Sequence, residues 1–296
     1  MGRNLLEHPQ VRDWEVLAPG SDELDLTDFE ATRRYVSDVG PDLIIHAAGR
    51  VGGIQANIAH PVDFLVENAD MGRNVVMAAR AAGVPRLLNL GSSCMYPRNA
   101  SNPLTEDQIL AGELEPTNEG YALAKILTAR LCQYVTREAP HLSYKTLIPC
   151  NLYGRFDKFD STHSHLIPAV IDKIHRAKAV GLGVVEIWGD GTARREFMYA
   201  GDFADALVYM VNRFDRMPDL CNIGLGHDYS INEYYAAAAS AIGWEGRFVH
   251  DLSRPVGMAQ KLVDTTRQTV LGWRPSTDLL AGIVQTYDYF LREPAR

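Results

Sequence analysis

RLLNLGSSCMYP (residues 86–97), YALAKILTARLCQYVTRE (121–138) and YKTLIP (144–149) follow one another along the chain, and their reading decides the fold. The first and third are apolar runs of strand length. The second is long, rich in helix formers, and carries apolar residues on more than one stripe, as a helix covered on two sides does. Strand, helix and strand in that order make a βαβ unit, whose strands pair in parallel. Upstream the pattern continues with WEVLA (14–18), DFEATRRYVSDV (28–39), DLIIHAA (42–48) and FLVENADMGRNVVMAARAA (64–82). The class is therefore α/β, a Rossmann-like doubly wound parallel sheet. After YKTLIP the rhythm breaks into a loop, FDKFDSTHSH (156–165), a helix near 166–178, a short strand VVEIWG (184–189) and a closing helix DLLAGIVQTYDYFL (278–291). This second half reads as a smaller C-terminal α/β substrate domain.

The 296 residues, 46% of them hydrophobic, are enough for a main domain with a smaller partner. A formal charge of -8 argues against nucleic-acid and anionic-membrane partners. The four cysteines, Cys94, Cys132, Cys150 and Cys221, form no CxxC pair, so neither a disulfide framework nor a metal site is expected. The N-terminal residues show no apolar signal core and no stretch approaches the ~20 apolar residues of a membrane span. The expectation is a cytoplasmic protein without metal.

Ligands of such sheets bind at the carboxyl ends of the strands, where residues 46–49, 91–94 and 149–151 fall. Close to one of these ends sits the chemistry. Tyr121 and Lys125 lie four apart in EPTNEGYALAK (115–125), hence on one helix face. A phenol releases its proton near pH ~10, and an adjacent ammonium favours the phenolate, so the pair makes an acid or base suited to a carbonyl. Ser92, at the end of RLLNLGS, can hold the same carbonyl oxygen. Together the three suggest a carbonyl-reducing site.

These residues carry a resemblance to the extended short-chain dehydrogenase/reductases and, within them, to the GDP-4-keto-6-deoxymannose epimerase/reductase branch, the GDP-L-fucose synthases. It spans nearly the whole chain through AAGRVGGIQAN (47–57), GSSCMYP (91–97), LEPTNEGYALAK (114–125), IPCNLYG (148–154), SHLIPA (164–169) and WGDGTARREFMYAGDFADA (188–206). The resemblance implies NADPH-dependent C3/C5 epimerisation and C4 reduction of a GDP-4-keto-6-deoxy sugar by a homodimer whose contact is a four-helix bundle. Residues 1–153 with about 198–224 would form the NADP-binding domain; 154–197 and 225–296 would bind the GDP-sugar. Ser92, Tyr121 and Lys125 match the reducing residues, Cys94 the base and His165 the acid of epimerisation, with His163 a nearby competitor. Gly2, Ser21, Ala48, Gly49, Pro149, Asn151, Leu152 and His165 fall where the family holds cofactor, together with Tyr121 and Lys125. Asn151, Lys173, Trp188, Arg195 and Lys261 fall where it holds substrate, the last two on the diphosphate.

Three departures stand out. The chain opens MGRNLLEHPQVRDW (1–14), which reads as the first helix, whereas the family opens with a strand and Gly-rich turn. A shortened form of the fold is the expectation, lacking a central strand between those at 14–18 and 86–91. Lys173 stands where the family often has Arg, and Val256 where an acid is common. No acid directly follows the strand at 14–18, and Ser21 is placed to meet a 2'-phosphate, so NADP is preferred over NAD. Competing readings are a related GDP-deoxysugar epimerase/reductase of the colitose or deoxyheptose type, a cofactor-deficient nucleotide-sugar-binding subunit, and an epimerase of the UDP-hexose kind.

Overall fold

The computed structural model describes residues 1–159, 164–253 and 258–292, so His163 and Val256 lie outside the described residues. In chain order the main half holds α1 (Gly2–Leu6), α2 (Phe29–Val39), β1 (Leu43–His46), α3 (Ile54–Ala59), α4 (Pro61–Ala81), β2 (Arg86–Leu90), α5 (Glu119–Glu138) and β3 (Ser143–Pro149). Next come β4 (Asn151–Tyr153), α6 (Leu166–Ala179), β5 (Val184–Trp188), β6 (Arg194–Arg195), β7 (Phe197–Tyr199), α7 (Ala200–Val211) and β8 (Leu220–Ile223). Last are β9 (Tyr229–Ser230), α8 (Ile231–Ile242), β10 (Arg247–Asp251), β11 (Gln260–Lys261), α9 (Thr266–Leu271) and α10 (Leu279–Arg292). Among these helices none is long and apolar enough to cross a membrane.

The main sheet is parallel with strand order β1-β2-β3-β8, so β8 from the second half pairs with β3. Both faces are covered. Val75, Val76 and Ala79 of α4 and Cys132 and Val135 of α5 bury Leu87 and Tyr144 on one side. Phe203, Leu207 and Met210 of α7 bury Leu88, Leu147 and Ile223 on the other. A second apolar cluster joins α6, α8 and α10 to β5 through Ile171, Ile174, Val185, Tyr234 and Ile283. Local signals fix the element ends. Asp28 caps α2 by accepting from Ala31 N, Gly40 ends it in the left-handed region at φ 56°, and Ser230 with Glu233 makes a reciprocal capping box on α8.

Two expectations are corrected. Residues 14–18 form no strand: they run irregularly, with Val16 and Leu17 exposed, and without a ladder to any described strand nothing holds them extended. Nor is there a gap beside β2, since Leu43–His46 pairs directly with it, in the register Leu43 to Arg86. Residues 1–14 begin in a helix, as read, and Met1 and Leu5 pack on the core beneath α7.

Helices α4 and α5 approach closely at Gly72. A Cβ there would meet Thr128 Oγ1 at 2.0 Å, and Thr128 is tied by its hydroxyl to the Ala124 carbonyl. Gly72→Val is expected to cost ~1–3 kcal/mol through overpacking and to lower the melting temperature by roughly 2–4 °C per kcal/mol. An unchanged melting curve would show that the two helices separate without penalty.

Candidate active site

The carboxyl ends of β2 and β3 and the start of α5 converge. Gly91 lets the chain turn where a Cβ would crowd Met95 Sδ at 3.1 Å and the Leu147 carbonyl at 3.3 Å. Ser92 is extended, at φ -158°, and its Oγ accepts from Cys94 N at 3.2 Å, which starts a short 3-10 turn over Ser93–Met95. Ser93 is thereby buried in the turn, and Ser92 and Cys94 stay half-exposed on the site side. Across from them Tyr121 and Lys125 share one face of α5, the ammonium 5.8 Å from the centre of the phenol ring.

The electrostatics of the pair follow from burial. Burial pushes the Tyr121 hydroxyl well above its usual range and the negative charge of Cys94 adds to that, while a hydrogen bond with Ser92 acts the other way. Burial lowers Lys125 from 10.5 to about 8. Its Nζ donates to the Leu90 carbonyl at 3.0 Å. His46, wholly buried at the end of β1, is driven down to about 3 by burial and by the Lys125 charge, so it is neutral. The depressed Lys125 binds a proton less readily in the fold than in the open chain, so its contribution raises stability as pH climbs from about 8 to 10.5 and withdraws it below. Lys125→Met is expected to abolish reduction while raising the melting temperature at pH 7 and removing that slope. A variant less stable than the parent would contradict this account.

The loop after β1 completes this corner. A Cβ on Gly49 would lie 3.0 Å from Asn68 Oδ1 and 3.7 Å from Lys125 Nζ. The backbone at Gly49 therefore passes close to Asn68 and to a buried ammonium whose one described hydrogen bond is to a carbonyl. Ala48 lies in the same loop, half-buried; Pro149 ends β3, and Asn151 and Leu152 open β4, where Asn151 Nδ2 donates to the Glu196 carbonyl at 3.1 Å. Gly2 begins a helix of five residues, and Ser21 sits in an exposed turn closed by Gly20 N on Glu23.

The cations of the second half converge on the same end. Lys261 on β11 pairs in parallel register with Arg195 on β6, so the two lie side by side. Arg195 is mostly buried and its NH1 donates to the carbonyls of Arg194 at 2.8 Å and Met258 at 2.5 Å. Burial lowers its pKa, while Tyr234 and the Glu115 carboxylate act the other way. Arg194 instead turns to Asp228, donating from Nε at 2.6 Å. Lys261 Nζ also reaches Cys94 Sγ, 3.9 Å away. Beside this strand an open cleft of about 460 Å³ is lined by Arg98, Asn102, Glu115, Met258 and Gln260.

The remaining expected residues lie at α6 and β5. Lys173 on α6 donates to the Glu186 carbonyl of β5 at 2.5 Å, and Trp188, at the end of β5, is 57% exposed. His165 precedes α6, exposed and without a side-chain cap hydrogen bond, near Asp157, whose carboxyl burial pushes up. Among the described residues no cluster suits a metal ion.

Two residues escaped the sequence reading. Asn118 ends the loop before α5 and its Nδ2 donates to Cys94 Sγ at 3.1 Å; its position three before Tyr121, one turn away on the same face, was the available signal. Glu196 is fully buried, with Oε1 accepting from Leu225 N at 2.6 Å and Gly226 N at 3.1 Å and Oε2 from Val263 N at 2.9 Å. Burial raises it from 4.5 to about 7 against those three donors. Strand alternation, which turns Glu196 away from Arg195, was its signal.

Known proteins share this arrangement in sequence and fold. The model of the NAD dependent epimerase/dehydratase family matches residues 1–224. A GDP-L-colitose synthase of Yersinia pseudotuberculosis is 55% identical over 293 residues, covering 99% of this chain and 95% of that protein. A GDP-L-fucose synthase of Azorhizobium caulinodans is 50% identical over 291 residues, covering 98% and 93%. The solved structure of MlghC, a GDP-mannoheptose C4 reductase from Campylobacter jejuni with NADP bound, superposes with a TM-score of 0.88 at 30% identity over 98% of this chain and 95% of that one. A Rossmann-like sheet carrying Ser92, Tyr121 and Lys125 at its carboxyl edge, matched over this length, makes the chain a member of the NAD dependent epimerase/dehydratase family.

Proposed function

We propose that the chain is an NADPH-dependent epimerase/reductase that converts GDP-4-keto-6-deoxymannose to GDP-L-fucose, inverting C3 and C5 and then reducing the C4 ketone. The observation that carries the reading is that a thiol and a reducing Ser–Tyr–Lys set occupy one corner: Asn118 and Lys261 contact Cys94 Sγ, and Cys94 N bonds Ser92. Two chemistries on carbons flanking one ketone need such a shared corner.

A ketone acidifies the C–H bonds on either side of it. The Cys94 sulfur removes such a proton, the electron pair moves into the enolate, and Ser92 and Tyr121 hold the enolate oxygen. His165 returns a proton to the opposite face, which inverts the centre. NADPH, when bound, supplies the hydride to C4. Tyr121 then gives its proton to the developing alkoxide, and Lys125 steadies the phenolate left behind and holds the nicotinamide ribose beside Gly49. Arg195 and Lys261 grip the diphosphate, with Asn151, Lys173 and Trp188 contributing to the sugar-nucleotide site. Residues 1–153 with about 198–224 hold the cofactor in this division of labour, with Gly2, Ser21, Ala48, Pro149 and Leu152 along its path; the remainder holds the GDP-sugar. The protein works in the cytoplasm as a homodimer through α4 and α5, whose outer faces expose Val62, Val66, Leu123 and Leu127.

A second reading is favoured by the 55% identical relative, named a GDP-L-colitose synthase. A dideoxy 4-keto sugar with a methylene at C3 has only C5 to invert. The test is NADPH consumption with each GDP-4-keto sugar in deuterated water, followed by mass analysis. Oxidation with deuterium at C3 and C5 of GDP-4-keto-6-deoxymannose supports the first reading, turnover of the dideoxy sugar alone supports the second, and turnover of neither overturns both.

A further inference from the structure

Asn118 occupies the position before α5, where an Asn side chain ordinarily accepts a hydrogen bond from the first turn of the helix. Here it makes no such bond. Its Nδ2 turns to Cys94 Sγ at 3.1 Å, and its Oδ1 is buried with no hydrogen-bond partner among the described residues. The fold loses a cap and keeps an unpaired acceptor, and both cost stability. On another side of the same sulfur stands Lys261 Nζ, 3.9 Å away, and the Tyr121 hydroxyl is the further titratable group that feels its charge. An N–H aimed at sulfur is stronger when the sulfur is an anion, and it fixes where the remaining lone pairs point.

We propose that Asn118 is a positioning residue for the epimerising base: its amide holds Cys94 as a thiolate and directs it at the carbon beside the ketone, with Lys261 supplying the compensating charge. The inference rests on the epimerase reading above for the carbon acid, but the contact it invokes is with the sulfur alone. The other three cysteines are buried, so Cys94 is the one a small alkylating agent reaches.

Asn118→Ser and Asn118→Asp both keep good helix caps, so both should fold at least as stably as the parent. The full chain and the two variants are compared in deuterium incorporation into GDP-4-keto-6-deoxymannose without NADPH, in the rate of Cys94 alkylation by iodoacetamide between about pH 6 and 9, and in melting temperature. In Asn118→Ser the exchange is expected to fall by about tenfold or more and the alkylation profile to move to higher pH. Asn118→Asp should move it further, because a carboxylate faces the anion. Exchange and alkylation within twofold of the parent in Asn118→Ser, or a fall in melting temperature that accounts for the loss, overturns the inference. A parent chain that exchanges no deuterium overturns the epimerase reading instead, and the alkylation profile then decides the role of Asn118 by itself.

Discussion

Tyr121→Phe is expected to slow ketone reduction by about 10²–10⁴-fold, the usual contribution of a positioned general acid. The phenyl ring keeps the packing of α5 against the site and removes only the proton that the C4 oxygen must receive. Lys125 then loses the phenolate it was placed to balance, and Ser92, hydrogen-bonded to Tyr121 in the intact site, is left as the one hydroxyl on the substrate oxygen. Deuterium exchange at the carbons flanking the ketone should fall less than reduction, since Cys94 keeps its contacts with Asn118 and Lys261 and Ser92 still holds the enolate oxygen. Stopped-flow NADPH oxidation beside exchange monitored by mass spectrometry separates the two. A loss smaller than tenfold would remove Tyr121 from the acid's role.

The mirror image is expected of Cys94→Ser. An alcohol is a far weaker acid than a thiol, so the serine is rarely the anion that takes a carbon-bound proton, and exchange should drop by about 10²–10⁴-fold. Hydride transfer to the uninverted ketone should survive within an order of magnitude, because Ser92, Tyr121 and Lys125 keep their places. The product would then be a C4-reduced sugar with its original C3 and C5 configuration, readable by NMR. Exchange that survives in this variant would assign the base elsewhere, with His165, the proposed inversion acid, the first residue to examine.

Much of this was legible in the chain because the signals are local. The strand–helix–strand run from 86 to 149, the four-residue spacing of Tyr121 and Lys125, and the Ser92 turn depend on neighbours in sequence, and the structure keeps each where it was read. The strand expected at 14–18 failed for a non-local reason: apolar residues make a strand only where they join a ladder, and among the described strands none pairs with Val16 and Leu17. The neighbour of β2 was misplaced for the same reason, since order in a parallel sheet is set by crossovers that local pattern does not display. Asn118 and Glu196 were passed over because their partners, a sulfur 24 residues away and the amides of 225, 226 and 263, are invisible to spacing.

The buried Glu196 carboxylate has a bearing on how the protein is best handled. Its pKa is raised in the fold from 4.5 to about 7, so it favours the native state in acid and withdraws that support as pH rises between those values. Lys125 does the reverse above about 8. Both groups are charged together, and both oppose the fold, in the narrow neutral interval between them. A storage buffer near pH 6 relieves one of the two, whereas an assay at pH 7.5 asks the protein to work in the least forgiving part of its range for these side chains.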